Sequence, residues 1–409
     1  MNFVAEVREG LGISWAAIRA NKMRSILTTL GIVIGIVTVT LMGTAIEGLN
    51  RAFLKNISFI GADVLYVSRF DWFIDSYEDW QKAQKRRPIT LAQVAALKKQ
   101  LTMAKAVAPE VETQQPVQYQ KRRAGSVRIL GTTDEMLQTS SMSVALGRFM
   151  SPAEVQGGRP VCILGSEVAT NLFRREPPLG KRVTIGDRPF EVVGVLEKQG
   201  TFLGMFSLDN QAIIPLKQFT MFYFNFPDYG IQVRASEMEQ LEETKAELRS
   251  VMRNVRRLAP SEPDDFAINQ QDQFIKMFQR VGGTIAAIGL FITGLSLFVG
   301  GIGIMNIMFV SVAERTREIG IRKAIGAKRR TILTQFLLEA ASICLIGGTI
   351  AIVIAWLLTF VVRQFMPVTM SISVVGIALL VSLVTGLLSG FFPAWRAARM
   401  NPVDALRNE

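Results

Sequence analysis

The chain reads as a membrane protein with four transmembrane α-helices and a large α+β extracytoplasmic domain between the first two. Three observations predict this class. Four long apolar runs carry almost no charge, one near the N-terminus and three in the last third. Residues 48–280 instead show charges, turn residues and short alternating segments, with no run able to span a bilayer. The short Lys/Arg-rich pieces sit beside apolar runs, the pattern that fixes topology in a membrane.

Composition narrows the function classes. Of 409 residues, 49% are hydrophobic and 20% charged, which suits a chain that is part membrane and part aqueous domain. The formal charge of +12 does not point to nucleic acid, because the cations flank apolar runs or mix with acids, and no RNP, zinc-finger or helix-turn-helix signature occurs. Membrane lipids are the expected partner of those cations. The absence of histidine excludes His-based triads, His metal sites and imidazole switching. Cys162 falls in the aqueous part and Cys344 inside an apolar run, so no disulfide is expected.

Taken in order, residues 1–24 place Phe3, Val7, Leu11, Trp15 and Ile18 on one helical face, an amphipathic interfacial helix. Residues 25–47 form the first span. The segment before it is too long for a signal-peptide n-region, and no A-x-A site follows. Within 48–280, strands are expected at Asp63–Ser68, Ala106–Tyr119, Tyr229–Ala235 and Phe266–Asn269, with helices at Leu91–Leu101 after a Thr90 cap and at Met238–Arg257. These two β-α-β patterns (48–122 and 223–280) bracket a mostly β piece, 123–222, with strands at Val127–Leu130, Val161–Leu164, Arg182–Ile185, Phe190–Leu196 and Ala212–Ile214. Gly186-Asp187 inside it is a hairpin signal. The second span is 281–313, the third 332–362 and the fourth 372–393; 363–371 is a short outer loop and 394–409 a tail. Gly31, Gly35, Gly301, Gly303, Gly386 and Gly390 are placed for close helix–helix approach.

Residues 314–331 form a dense charged segment, ERTREIGIRKAIGAKRR through Arg330, wedged between the second and third spans. This segment, the N-terminal piece and the tail are the basic ones, so all three are expected in the cytoplasm and 48–280 outside. Its mixed signs suit a protein partner better than headgroups alone. Gly326 is placed to end its helix. In the outer domain, two aromatic clusters (Phe70 to Trp80, Phe219 to Tyr229) and the apolar loop Thr201–Ser207 offer contact surfaces. Phe202, Leu203, Met205 and Phe206 are the favoured contact residues.

No engine is visible. The chain contains no G-x-x-x-x-G-K-[ST] loop and no G-x-S-x-G, and no Cys or His cluster has metal spacing. Asp71, Asp75, Glu78 and Asp79 crowd one charged loop and read as solvated. No catalytic, metal or cofactor-binding residue is predicted, and the chain is not expected to be an enzyme.

Several stretches resemble the MacB/FtsX-type permeases of the type VII ABC transporter family. Glu314–Ala327 (ERTREIGIRKAIGA) resembles that family's cytoplasmic segment, and Asn21–Thr28 its entry into the first span. Gly301–Met308 is similar to the end of its second span, and Pro393–Arg407 to its C-terminal tail. The resemblance implies a bacterial inner-membrane homodimer with cytoplasmic termini and an outer domain divided into porter and sabre subdomains. It implies a separate ABC ATPase subunit, carrying the ATP and Mg, that docks on Glu314, Arg315, Arg317, Glu318, Gly320, Arg322, Lys323 and Gly326. Function would be export by mechanotransmission, with a periplasmic adaptor protein. The archetypal exporter has its ATPase fused at the N-terminus, whereas this chain starts at its interfacial helix, so the ATPase is expected on another polypeptide. Alternatives with the same layout are a lipoprotein-extraction permease and a regulatory transducer of an extracytoplasmic hydrolase. A membrane receptor without an ATPase is a fourth reading.

Overall fold

A computed structural model describes residues 22–57, 60–202, 206–222, 228–364, 368 and 370–407. The chain divides into two compact units, one running up to Ala52 and again from Phe278 onward, the other Phe53–Met277. The interfacial helix expected over residues 1–24 lies almost wholly outside the described residues.

In the second unit the strands are β1 (Val64–Ser68), β2 (Ala104–Tyr119), β3 (Arg122–Thr132), β4 (Val144–Gly147), β5 (Val161–Leu164) and β6 (Arg182–Ile185). They continue with β7 (Arg188–Leu196), β8 (Thr201–Phe202), β9 (Phe206–Ser207), β10 (Gln211–Pro215), β11 (Gly230–Ala235) and β12 (Ala267–Gln270). Among the described residues, ten form one sheet in the order β12-β1-β11-β2-β3-β10-β5-β7-β4, with β6 against β2 and β7; β8 and β9 pair by themselves. The first four of that order are mutually antiparallel, and the helices Leu91–Gln100 and Leu241–Arg256 join β1 to β2 and β11 to β12. This is a split β-α-β arrangement. Thr90 and Gln93 form a reciprocal capping box that starts the first of those helices.

The β2–β3 hairpin carries the sheet without a break past Arg123 into the middle piece, and β10 returns parallel to β3. The middle piece also holds the helices Met136–Thr139, Pro152–Gly157, Ser166–Phe173 and Leu216–Phe222. Its Gly186-Asp187 turn joins β6 to β7 with Ile185 opposite Arg188, and Gly186 supplies the positive φ of 58°. Strand alternation sorts two cores. Val107, Val111 and Val117 of β2 join Leu97, Leu248, Met252 and Phe173, whereas Ala108 and Leu130 join Met136, Phe149 and Ile213. Each fully buried side chain such as Leu97 contributes about 1.5–3 kcal/mol.

The other unit is helical. Among the described residues, four helices are long and apolar enough to cross a membrane: Leu30–Leu54 within Lys22–Ile57, then Gln271–Glu314, Arg329–Val362 and Ile372–Arg399. Lys22–Ile57 and Gln271–Glu314 overrun the apolar segments 25–47 and 281–313, because charged residues beyond an apolar run do not stop a helix. Small residues set the packing. A Cβ on Gly31 would meet Gly300 Cα at 3.1 Å, one on Gly35 the Leu297 side chain at 3.1 Å, and one on Gly301 the Ser389 Oγ at 2.6 Å. On the fourth helix, Gly386 and Gly390 lie against Cys344 and Ala340, at 2.9 and 2.4 Å from such a Cβ. Gly303 is half-buried. Ser382 Oγ donates to the Cys344 carbonyl at 2.6 Å, satisfying a buried hydroxyl between the same two helices.

Candidate functional site

The charged segment folds as a short helix, Thr316–Ala324, held between the long helices Gln271–Glu314 and Arg329–Val362. Its end is a Schellman motif: the Gly326 amide donates to the Lys323 carbonyl at 3.1 Å, and the Ala327 amide to the Arg322 carbonyl at 3.0 Å. Gly326 has φ +100°, which a residue with a Cβ adopts only under strain, so its placement as the helix terminator is physical. Ile319 and Gly320 face inward, and the C-terminal helix Pro402–Arg407 packs beside this one.

The eight residues singled out here divide into three groups. Arg315, Glu318, Arg322 and Lys323 are engaged within the chain. Arg315 Nη1 lies 3.4 Å from the carboxylate of Glu339, which is buried in the third long helix. Arg322 Nη2 donates to Glu318 at 2.6 Å and Nη1 to Gln335 Oε1 at 2.8 Å. Lys323 donates to the Met400 carbonyl, and burial, with Arg329 nearby, holds its ammonium below the usual lysine range. Glu314 and Arg317 are exposed and have no ionic partner among the described residues. Gly320 and Gly326 shape the helix and its end. Sequence reasoning missed Gln335, Glu339 and Met400 as anchors. It also missed the apolar part of the surface: Ile321, Ile325 and Val403 are exposed, Ile325 by 82%. Isoleucines inside a charged segment were the available signal.

In the outer unit the aromatic residues go largely inward. Trp72 and Phe73 pack on Phe274, with centroids at 4.9 and 4.8 Å. Phe219 is buried against Gly131, and Tyr77 stacks on Trp80 at the surface. Tyr223, Phe224 and Phe226 lie outside the described residues. The expectation of an exposed contact at Phe202 is corrected: it is only 5% exposed and meets Phe274 edge-on at 5.8 Å. The reason is the β8–β9 hairpin, which pairs Phe202 with Phe206 and turns the first ring inward. Leu203 and Met205 lie outside the described residues. Of the acidic residues in the charged loop, Asp71 pairs with Arg86 at 3.0 Å, and Asp79 accepts from Ser76 at 2.8 Å.

Beneath Phe202 lies a cavity of about 280 Å³ between the sheet face and these aromatic rings. Polar side chains converge on it. Gln232 donates to Glu110 Oε2 at 2.7 Å and accepts from Thr139 at 3.0 Å, while Arg128 donates to Gln211 at 3.0 Å. Burial pushes the Glu110 carboxyl above its ordinary range, against the opposing pull of Gln232 and Arg128. These residues were missed too. The alternation Ala108, Glu110, Glu112, Gln114 along β2 reads as an ordinary solvated face.

Two family models match the chain: a MacB-like periplasmic core domain over residues 25–251 and an FtsX-like permease C-terminal domain over residues 290–402. It is 33% identical to the Macrolide export ATP-binding/permease protein MacB of Rhodopirellula baltica, over 96% of this chain and 61% of that one. It is 32% identical to the Pyoverdine export ATP-binding/permease protein PvdT of Pseudomonas syringae pv. tomato, over 99% of this chain and 60% of that one. The chain thus spans about 60% of the length of these curated relatives. The crystal structure of the periplasmic region of MacB from Actinobacillus actinomycetemcomitans is similar at 18% identity and a TM-score of 0.45, covering 56% of this chain and 98% of that one. With both family models matched and four membrane-length helices, the chain is a multi-pass membrane protein that belongs to the FtsX-like permeases with a MacB-like periplasmic core domain.

Proposed function

We propose that this chain is the permease part of an ABC exporter that works by mechanotransmission. An ABC ATPase, holding the ATP and Mg, docks on the Thr316–Ala324 helix; its closure on ATP moves that helix, and the outer unit responds. The observation that carries this reading is the unbroken helix Gln271–Glu314. Its first turn sets Phe274 among the aromatic rings of the outer unit, and it ends one residue before Arg315. At 1.5 Å per residue, its 44 residues extend about 66 Å, well beyond the ~30 Å hydrocarbon core. Residues of both units therefore share one continuous helix. The export activity in the relatives' names supports the direction of work.

In this reading the protein sits in the bacterial inner membrane as a homodimer, with the charged hinge and both termini in the cytoplasm. A periplasmic adaptor protein receives the cargo from the outer units. The exposed set Glu314, Arg317, Ile321, Ile325 and Val403 forms the ATPase-facing surface, combining charge with an apolar centre. The engaged set transmits the push to the third helix and to the C-terminal segment.

The test is purification of the full chain in mild detergent, with co-purifying proteins identified by mass spectrometry. The expected result is an ABC ATPase bearing a G-x-x-x-x-G-K-[ST] loop, lost in an Arg317→Glu, Ile325→Asp double variant of unchanged elution volume. An intact chain that holds no ATPase, or a double variant that holds it equally well, overturns the proposal.

A further inference from the structure

We propose that the outer-unit cavity is a binding site for a compact organic cation with an aromatic or branched apolar body. Its floor is one face of the sheet: Tyr66 on β1, Gln232 on β11, Glu110 on β2, Arg128 on β3 and Gln211 on β10. Its other walls are Trp72, Phe202 and Phe274, whose rings lie in mutual contact (Trp72–Phe274 4.9 Å, Phe202–Phe274 5.8 Å). Apolar walls with a few converging polar groups are what small-molecule sites share.

The charge of the ligand follows from which polar groups are already used. Gln232 is satisfied at both ends by Glu110 and Thr139. Arg128 donates through Nη2 to Gln211, and its Nε, 3.6 Å from Glu112, has no hydrogen-bond partner but is fully buried, beyond a ligand's reach. Glu110 receives one hydrogen bond on Oε2, and no described residue donates to its Oε1. The uncommitted group that is not sealed off is thus a carboxylate oxygen, set among aromatic faces that also attract cations. Burial in so apolar a place makes an ionised carboxylate costly, and an arriving cation offsets that cost. A cavity of about 280 Å³ admits a small aromatic ammonium and is too small for a macrolide-sized ring. The proposal does not rest on the export reading, since binding here requires no ATPase and no transport.

Ionisation gives a second signature. The charged and titratable groups around Glu110 are Glu112 on its own strand, Arg128 on β3 and Tyr66 on β1, the last also near Asp63; β11 contributes neutral Gln232. Because burial favours the protonated acid, a cation must displace that proton, and affinity rises with pH until Glu110 is ionised without help.

The experiment is equilibrium dialysis of the full chain in lipid nanodiscs against benzyltrimethylammonium, with phenylacetate as the anion of similar body, between about pH 5 and pH 8. The expected result is one saturable site per chain for the cation, tightening with pH. Glu110→Gln weakens it at least tenfold and removes the pH dependence, and Trp72→Phe weakens it by less. Unfolding temperatures of the variants, measured alongside, separate lost binding from lost fold; Trp72→Phe keeps the test available if Glu110→Gln unfolds. Absence of saturable cation binding, equal binding by a folded Glu110→Gln, or preference for phenylacetate overturns the proposal.

Discussion

The two units each hold an arginine–carboxylate pair with one partner buried, and they do it differently. In the outer unit Arg256 is fully buried and meets Asp265 with two bonds, at 2.5 and 2.8 Å, while its remaining donors go to Arg87 and Pro88 carbonyls and to Gln93. Every donor of that fork has a use, and hydrogen bonds from Arg256 and Arg87 hold the Asp265 carboxyl below its usual range against its burial. In the membrane unit Arg315 reaches Glu339 only at 3.4 Å, and Arg315 itself stays about a quarter exposed, at 26%. The first pair is a rivet joining Leu241–Arg256 to the chain before Leu91–Gln100. The second pair is loose, at the one break between two long helices. The proposed mechanism asks for that difference, a firmly held pair in the outer unit and a pair that can yield at the hinge.

The largest expected effect tests the rivet. Arg256→Met leaves Asp265 with only the exposed Arg87 as partner, strands the acceptors at Arg87, Pro88 and Gln93, and destabilises the outer unit by about 3–5 kcal/mol, read as a drop in chemical-denaturation midpoint. The second, smaller effect uses Glu154, which accepts from Arg148 at 2.7 Å twice over and closes a capping box with Ser151. Its folded pKa is depressed from 4.5 to about 2, chiefly by Arg148. A depressed carboxylate stabilises fully above its unfolded pKa, so this contribution is present above about pH 4.5 and is lost as pH falls toward about 2. It amounts to about 2–3 kcal/mol once screening of the exposed Arg148 is allowed for. A stability–pH curve that Glu154→Gln leaves unchanged between pH 5 and pH 2 contradicts it.

Packing in the membrane unit gives the next effect. Gly390→Leu, against Ala340 at 2.4 Å, costs about 1–3 kcal/mol, while Gly376→Ala on the same helix, with open space around it, is neutral or slightly stabilising. Equal melting shifts for the two in detergent would show that the close helix contact is not what matters. The smallest effect on stability, under about 1 kcal/mol, is for replacing both members of the loose pair, Arg315→Gln with Glu339→Gln. The same double variant is expected to reduce ATP-dependent activity of the assembled transporter severalfold. A variant that melts early yet transports normally would assign the pair to stability alone.

The sequence carried the layout because layout is written in long-range averages: apolar run length, basic flanks and short β-type runs such as Val161–Leu164 and Arg182–Ile185, both found where expected. The Gly326 terminator was legible because only backbone conformation decides it. The site was legible in part. Which charges at Glu314–Lys323 are spent internally depends on Gln335, Glu339 and Met400, residues 13 to 77 positions away that no local pattern connects to them. Phe202 looked exposed because an apolar loop tip and a buried hairpin strand have the same composition. The cavity was invisible for a similar reason. A polar strand face looks solvated until the register of its neighbours and the rings of Trp72 and Phe274 cover it.

The central claim is that ATP-driven movement at the Thr316–Ala324 helix reaches the outer unit through Gln271–Glu314. The most direct measurement places a nitroxide at Lys121→Cys, an exposed turn of the outer unit in a chain whose two native cysteines are buried. Electron–electron resonance then reads the distance between the two labels of the proposed homodimer, assembled with the ATPase, with and without ATP. The account predicts a distance distribution that shifts on ATP binding and no longer shifts in the Arg317→Glu, Ile325→Asp variant. A distribution indifferent to ATP in a complex that still transports would contradict it.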